Sequence, residues 1–220
     1  MRIMSSKVKY FLFDLDGSLL DSLANLYTSY QAFLEYYGHT ATQEEFKRLN
    51  GLSLTEAIEY LKKNYRLSPS TEELLTQYRS IIKENYQNSK PFKDSTKTLV
   101  LLNKLGIRML LVSSSLENEG VEIIEKFGWT DYFERLVWGD HVEHSKPAAD
   151  IYLLALNSIK ERKESIIVIE DSCNGVRSAK AAGLKVLALE RDFGGEELVA
   201  AGAFKSFKSL TAIVEYSNLA

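Results

Sequence analysis

The sequence predicts an α/β protein, a parallel β-sheet covered by helices on both faces, with an all-helical segment inserted after the first strand. Three observations carry this reading. Short, continuously apolar runs alternate with amphipathic stretches through the second half of the chain, the pattern of strands buried on both faces. Another such run stands alone near the N-terminus. Between it and the rest, residues 22–90 show only the three- and four-residue spacing of helices.

Residues 8–13 are apolar and rich in aromatic side chains, and the run stops at a turn containing Gly17, so it reads as the first strand. From residue 23 the period changes: Leu23, Leu26, Tyr27, Tyr30, Phe33, Leu34 and Tyr37 define one helical face, and Gly38 ends it as a C-cap does. Two more helices follow, each opened by a capping box. Ser53 with Glu56 precedes Ile58 and Leu61; Ser70 with Glu73 precedes Leu74, Leu75, Tyr78, Ile81 and Ile82. Pro91 is the natural boundary. Beyond it the reading is helix 96–105, strand 107–112, helix 121–127, strand 136–138, helix 151–156, strand 166–169, helix 176–182 and strand 184–189, with Gly106, Gly128 and Gly183 closing three of the helices. The expected organisation is a Rossmann-like parallel core made of residues 1–21 and 91–220, and a helical cap domain of residues 22–90.

Composition narrows the function classes. The 220 residues carry 27 basic and 30 acidic side chains, a net charge of -3, which gives no electrostatic reason to expect nucleic acid or an anionic membrane as partner. No apolar run approaches the ~20 residues of a membrane-spanning helix. The N-terminal apolar stretch is interrupted by Asp14 and Asp16, and reads as a strand rather than a secretory leader. Cys173 is the single cysteine, so an internal disulfide is excluded and a reducing, cytoplasmic setting is expected.

Ligands of an open parallel sheet bind at the carboxyl ends of its strands, and there this sequence collects acids and small polar residues. Strand one ends in Asp14-Leu15-Asp16-Gly17-Ser18; residues two apart on an extended segment face the same way, so the two carboxylates share one site. Such a pair is costly unless a cation or a shared proton relieves it. The strand at residue 107 ends in Ser113-Ser114-Ser115, the strand at 166 in Glu170-Asp171-Ser172, and Lys146 stands between the third strand and the next helix. Clustered oxygen ligands without soft ones point to a hard cation such as Mg²⁺. A hard cation with a lysine meets the charge of a phosphoryl group, and a carboxylate can attack phosphorus.

The stretches Asp14-Leu15-Asp16-Gly17-Ser18-Leu19-Leu20-Asp21-Ser22, Ser113, Lys146-Pro147 and Glu170-Asp171-Ser172-Cys173-Asn174-Gly175 resemble, in order and spacing, the four motifs of the haloacid dehalogenase superfamily. The likeness is closest to members with a small helical cap, such as phosphoglycolate phosphatase and β-phosphoglucomutase. It implies a Mg²⁺-dependent phosphatase acting on a small phosphate monoester, phosphoglycolate- or sugar-phosphate-like. By that resemblance Asp14 is the nucleophile and Asp16 the general acid and base, with its backbone carbonyl on the metal. Ser113 and Lys146 bind the transferring phosphoryl, with Ser114 and Gly51 as further substrate contacts. Asp14, Asp16 and Asp171 form the metal set, with Glu170 either a direct ligand or a partner behind one.

The departures from the pattern are Ser18 for threonine, Ser145 for glycine and Ala149 for proline. The positions where mutase relatives carry a histidine and a basic cap residue correspond to Leu26 and Leu54, which weakens a phosphosugar mutase. Asp16 speaks against a dehalogenase. A non-turnover phospho-acceptor switch would place its acceptor on a later strand and lack the insert. Several residues also have plain structural readings. Ser114, Ser115 and Asn118 fit helix capping, Gly51 to Ser53 a turn with an N-cap, and Asp21, Ser172 and Asn174 local turns and caps. His39, His141 and His144 read as loop residues, and Cys173 as a small packed side chain.

Overall fold

The structure is a computed structural model that describes residues 8–217. Strand β1 is Tyr10–Phe13, buried along its length. The short β2, Leu20–Asp21, pairs antiparallel with β3, Lys90–Pro91. Between them in the chain lie four helices: α1 (Leu23–Tyr36), α2 (Gln43–Leu49), α3 (Leu54–Tyr65) and α4 (Thr71–Tyr86). The rest alternates as α5 (Ser95–Lys104), β4 (Arg108–Val112), α6 (Glu117–Lys126), β5 (Arg135–Val137), α7 (Asp150–Leu156), β6 (Ile166–Glu170), α8 (Cys173–Ala181) and β7 (Lys185–Leu189). It closes with α9 (Gly195–Ala201), β8 (Lys205–Phe207) and α10 (Leu210–Tyr216).

Six strands form one parallel sheet in the order β5-β4-β1-β6-β7-β8. The chain builds outward from β1 to β5 on one side, then crosses to β6 and builds outward on the other. The reversal beside β1 opens the crevice where parallel sheets bind ligands. Register aims the strand ends at it, since Phe13 lies opposite both Leu111 and Ile169, so β1, β4 and β6 end level.

Alternation along the strands divides the core in two. Phe11, Phe13, Met109, Leu111, Ile167 and Ile169 face one way, into a cluster continuous with Tyr30, Phe33, Leu61 and Leu74 of the four helices. Tyr10, Leu12, Leu110, Val112, Ile166 and Val168 face the other way and pack on Ile151, Tyr152, Val176 and Ala179. No helix of the described residues is long and apolar enough to cross a membrane.

Both capping boxes form: the Ser53 and Ser70 hydroxyls each accept from the amide three residues on, and Glu56 and Glu73 reach back. The expected strands and helices lie where the periodicity places them, within a few residues. Six of these elements escaped that reading, among them the two-residue strands β2 and β3. Helix α2 is capped by Thr42, whose hydroxyl accepts from the Glu45 amide, but only Phe46 and Leu49 are buried, too few to show a period. Beyond residue 189, α9, β8 and α10 are short, and β8 is a half-exposed edge strand without a continuous apolar run. The expected core also takes in residues 1–7 and 218–220, which lie outside the described residues.

Candidate active site

Beyond Phe13 the Asp14 amide still donates to Ile169 (3.0 Å), so the ladder carries the Asp14 side chain into the crevice before the chain turns. The Leu15 carbonyl then accepts from Leu19 and Leu20 at 2.9 and 2.8 Å, a tight loop that Gly17 makes possible at φ 79°. A Cβ on Gly17 would lie 2.1 Å from Asp171 Oδ2, so only glycine lets the loop come this close to the acid.

Lys146 is the hub of the site. Its side chain is 1% exposed, and its three protons find three acceptors: Asp14 Oδ1 at 2.7 Å, Glu170 Oε1 at 2.6 Å and the Val112 carbonyl at 3.2 Å. One ammonium thus joins the ends of β1, β4 and β6. Glu170 is fixed from behind, since Tyr152 donates to Oε1 at 2.7 Å and the Ser172 hydroxyl to Oε2 at 3.3 Å. A Cβ on Gly175 would fall within 2.0 Å of the Glu170 carboxyl, so this acid too is seated against a glycine.

Electrostatics follow from burial. Desolvation pushes the Asp14 carboxyl up to about 8; Lys146 opposes this, while Glu170 and Asp16 add to it. Asp171 is raised well above the usual carboxylate range, by burial first and then by Asp14 and Glu170. Burial alone would strip Lys146 of its proton, but the Asp14 and Glu170 carboxylates outweigh it and hold the ammonium above its ordinary value.

The same acids form a candidate metal centre. Asp14, Glu170 and Asp171 each present an oxygen, and the three lie within 4.8 Å of one another. Asp171 Oδ1 accepts from Ser18 at 3.4 Å, whereas Oδ2 is buried with no partner. An orphaned carboxylate oxygen in an all-oxygen cluster fits a hard divalent ion such as Mg²⁺. Asp16 stands apart from this trio. Ser22 donates to its Oδ1 at 2.6 Å and Ser115 to its Oδ2 at 2.8 Å, so its carboxylate is held toward the open side of the crevice.

The structure therefore brings together Asp14, Asp16, Ser113, Lys146, Glu170 and Asp171. Ser113 is buried and its Oγ accepts from the Ser115 amide at 3.1 Å. Some local readings are corrected. Ser114 and Ser115 do not cap α6, which starts after Leu116 with no side-chain cap; their hydroxyls go to the Gly51 carbonyl (2.8 Å) and to Asp16. Asn118 accepts only from the Glu119 amide. Asn174 is not a local turn residue, for its amide reaches the carbonyls of Asn50 (2.8 Å) and Arg48 (3.2 Å) beyond the end of α2. Ser145 likewise crosses to α3, accepting from the Ser53 amide at 3.0 Å and donating to the Glu56 carboxylate. Ser172 is the N-cap of α8 as expected, its hydroxyl accepting from the Gly175 amide. Ser22 and Tyr152 were not read as site residues, and Ser115 was read as a cap, because spacing alone does not show which hydroxyl reaches a carboxylate on another element. The signal for Ser22 was its place at the end of the first motif.

Above this cluster lies a cavity of about 140 Å³, lined on the strand side by Asp14, Asp16, Asp171 and Ser113 to Ser115, and on the helix side by apolar residues including Leu26 and Leu54.

Comparison with known proteins agrees with this geometry. The chain is 29% identical to the phosphorylated carbohydrates phosphatase of Thermotoga maritima, across 87% of this chain and 90% of that one. It is 28% identical to the phosphoglycolate phosphatase of Aquifex aeolicus, across 81% and 83%. The fold matches that of a hydrolase from Pseudomonas syringae with a TM-score of 0.83 at 18% identity, over 96% of this chain and 98% of that one, a likeness of fold alone. The haloacid dehalogenase-like hydrolase family model matches residues 11–189. Because that match runs from β1 through β7, and so takes in every strand end that builds the charged cluster, the chain belongs to the haloacid dehalogenase-like hydrolases.

Proposed function

We propose that the protein is a Mg²⁺-dependent phosphatase that hydrolyses a small phosphate monoester through a phospho-aspartyl intermediate on Asp14. The observation that carries this reading is the buried Lys146 bridging Asp14 and Glu170 beside an Asp171 oxygen left without a partner. Asp14, Asp171 and the Asp16 backbone carbonyl would hold the metal. Glu170, whose Oε1 already accepts from Lys146 and Tyr152, is better suited to anchoring the lysine than to ligating directly. When bound, Mg²⁺ supplies the positive charge that lets an anionic carboxylate meet a phosphoryl group.

The chain's own residues divide the remaining work. Lys146 helps keep Asp14 ionised and orients its carboxylate for in-line attack on phosphorus. The Ser113 hydroxyl, whose oxygen accepts from Ser115, has its proton available for a phosphoryl oxygen. As the ester P–O bond breaks, Asp16 gives a proton to the leaving alkoxide. It then takes one from the water that attacks the phospho-aspartate, releasing phosphate and restoring Asp14. Ser22 and Ser115 aim that carboxylate. Residues 22–90 would act as the cap domain, covering the crevice and choosing the substrate. A mutase is disfavoured because apolar Leu26 and Leu54 line the cavity where a second phosphate would need cations.

A phosphate-release screen over p-nitrophenyl phosphate, acetyl phosphate and small metabolite esters tests the reading. Turnover should need Mg²⁺ and stop in chelator. Full activity in excess chelator would sink the metal requirement.

A further inference from the structure

The cavity in front of Asp14 has a polar floor and apolar walls. Its walls are Leu26 of α1, Phe46 and Leu49 of α2, Leu54 of α3, and Tyr78 and Ile82 of α4. Among the described residues no lysine, arginine or histidine lines it, since Lys146 sits behind Asp14 and is already engaged by two carboxylates. Apart from Asp14, Asp16 and Asp171, the one charged group on its lining is Glu119 of α6. Burial pushes the Glu119 carboxyl up, with Asp16 and Glu122 adding to this and Arg79 and Lys83 opposing it. Those two cations line the neighbouring cavity between α4 and α6 instead. The Tyr86 hydroxyl on this lining is buried beside Asp16 and Ser115.

Resting on the phosphatase reading above, we infer that the organic half of the ester is uncharged and largely apolar, with an O–H or N–H group donated to Glu119. Charge is decided by the lining. The floor answers the phosphoryl group, but the walls carry no cation to answer a second anion, only the neutral donor of the Asn50 side-chain amide, which is buried without a hydrogen bond. A carboxylate or second phosphate there would be stripped of water against leucines and would face Glu119 across a poorly screened gap. Apolar walls grade neutral bodies only gently by size, whereas an unpaired charge is rejected strongly. Glu119 gives the body its orientation by accepting its O–H or N–H.

The test is a matched series in Mg²⁺: phenyl phosphate, isopentyl phosphate, 3-hydroxybenzyl phosphate, 4-carboxyphenyl phosphate, phosphoglycolate and a hexose bisphosphate, with acetyl phosphate as a reference whose leaving group barely enters the cavity. The neutral esters should exceed their anionic counterparts in kcat/KM by about 10²-fold, the size expected of one uncompensated charge at short range. In Glu119→Gln the ratio of phenyl to 4-carboxyphenyl phosphate should fall about tenfold, and in Leu54→Lys it should fall further. Ratios within one variant are insensitive to how much of it is folded. A preference for phosphoglycolate or the bisphosphate, with acetyl phosphate still turned over, would overturn this inference and leave the phosphatase reading standing. An unchanged ratio in Glu119→Gln would remove Glu119 from it. If no ester were hydrolysed, acetyl phosphate included, the phosphatase reading itself would fall and this inference with it.

Discussion

At the strand ends, buried charge is cross-linked between elements: Lys146 ties Asp14 of β1 to Glu170 of β6 and to the Val112 carbonyl of β4, and Tyr152 holds Glu170 from α7. Across the cavity the helical wall is built on another principle. Its side chains are apolar, and it meets the strand side through separate polar contacts: Ser114 to Gly51, Asn174 to Asn50 and Arg48, and Ser145 with Ser53 and Glu56. Remove one member of the charged network and its partners stay buried without compensation, which is costly. Remove one contact of the wall and a single hydrogen bond is lost. The floor is therefore brittle and the wall tolerant, a division that would let substrate choice change while the chemistry stays.

The sharpest way to break that contrast is Asp14→Asn. It should reduce turnover to background and abolish any phospho-enzyme, because it removes the proposed nucleophile. Rapid-quench mass spectrometry reads this directly, and an adduct in this variant would overturn the assignment of Asp14.

Asp16→Asn should cost about 10²–10⁴-fold, the usual size of lost acid-base catalysis. With an activated ester, whose leaving group needs little protonation, phosphorylation survives better than hydrolysis. This variant should then accumulate a hydroxylamine-labile adduct that Asp14→Asn never shows.

Metal and pH sharpen the comparison without any turnover. In the metal-free protein the folded state holds Asp14 protonated up to about pH 8, mainly through burial, against 3.8 for an ordinary aspartate. A carboxyl raised on folding favours the fold at low pH and loses that contribution as pH climbs from about 4 to about 8. Asp171 is shifted the same way. Metal-free protein should thus melt lower at pH 8 than at pH 5.5. Saturating Mg²⁺, at about a hundred times its Kd, should raise the Tm at pH 8 by roughly 5–10 °C and do little at pH 5.5, where protons compete for the same oxygens. Equal Mg²⁺ shifts at both pH values would argue against binding at this cluster.

The smallest effect belongs to the wall. Asn174→Ala deletes both hydrogen bonds to the end of α2 and should lower kcat/KM about 3–30-fold, the scale of one or two hydrogen bonds, while leaving the Mg²⁺ shift in place. A loss as large as that of Asp16→Asn would mean that floor and wall are not separable.

Much of this was legible in the chain itself. Continuous apolar runs dictate a doubly covered parallel sheet, because only strands buried on both faces can be apolar at every position. Capping boxes at Ser53 and Ser70 dictate where two helices begin, since the partners are three residues apart and need no tertiary help. The strand-end positions of Asp14, Asp16, Ser113, Glu170 and Asp171 follow from the same local rules. What tertiary structure alone decided is which of these side chains meet. Lys146, a loop lysine by sequence, became a buried hub because three strand ends converge on it. Ser115 turned from a presumed cap into a donor to Asp16. Asn174 became a bridge to a helix absent from the sequence reading, α2, whose two buried side chains leave no period to detect. Local pattern reports what a residue prefers within a few neighbours, whereas a site depends on side chains separated by as many as 153 positions, as Ser18 and Asp171 are, and only the packed sheet determines that distance.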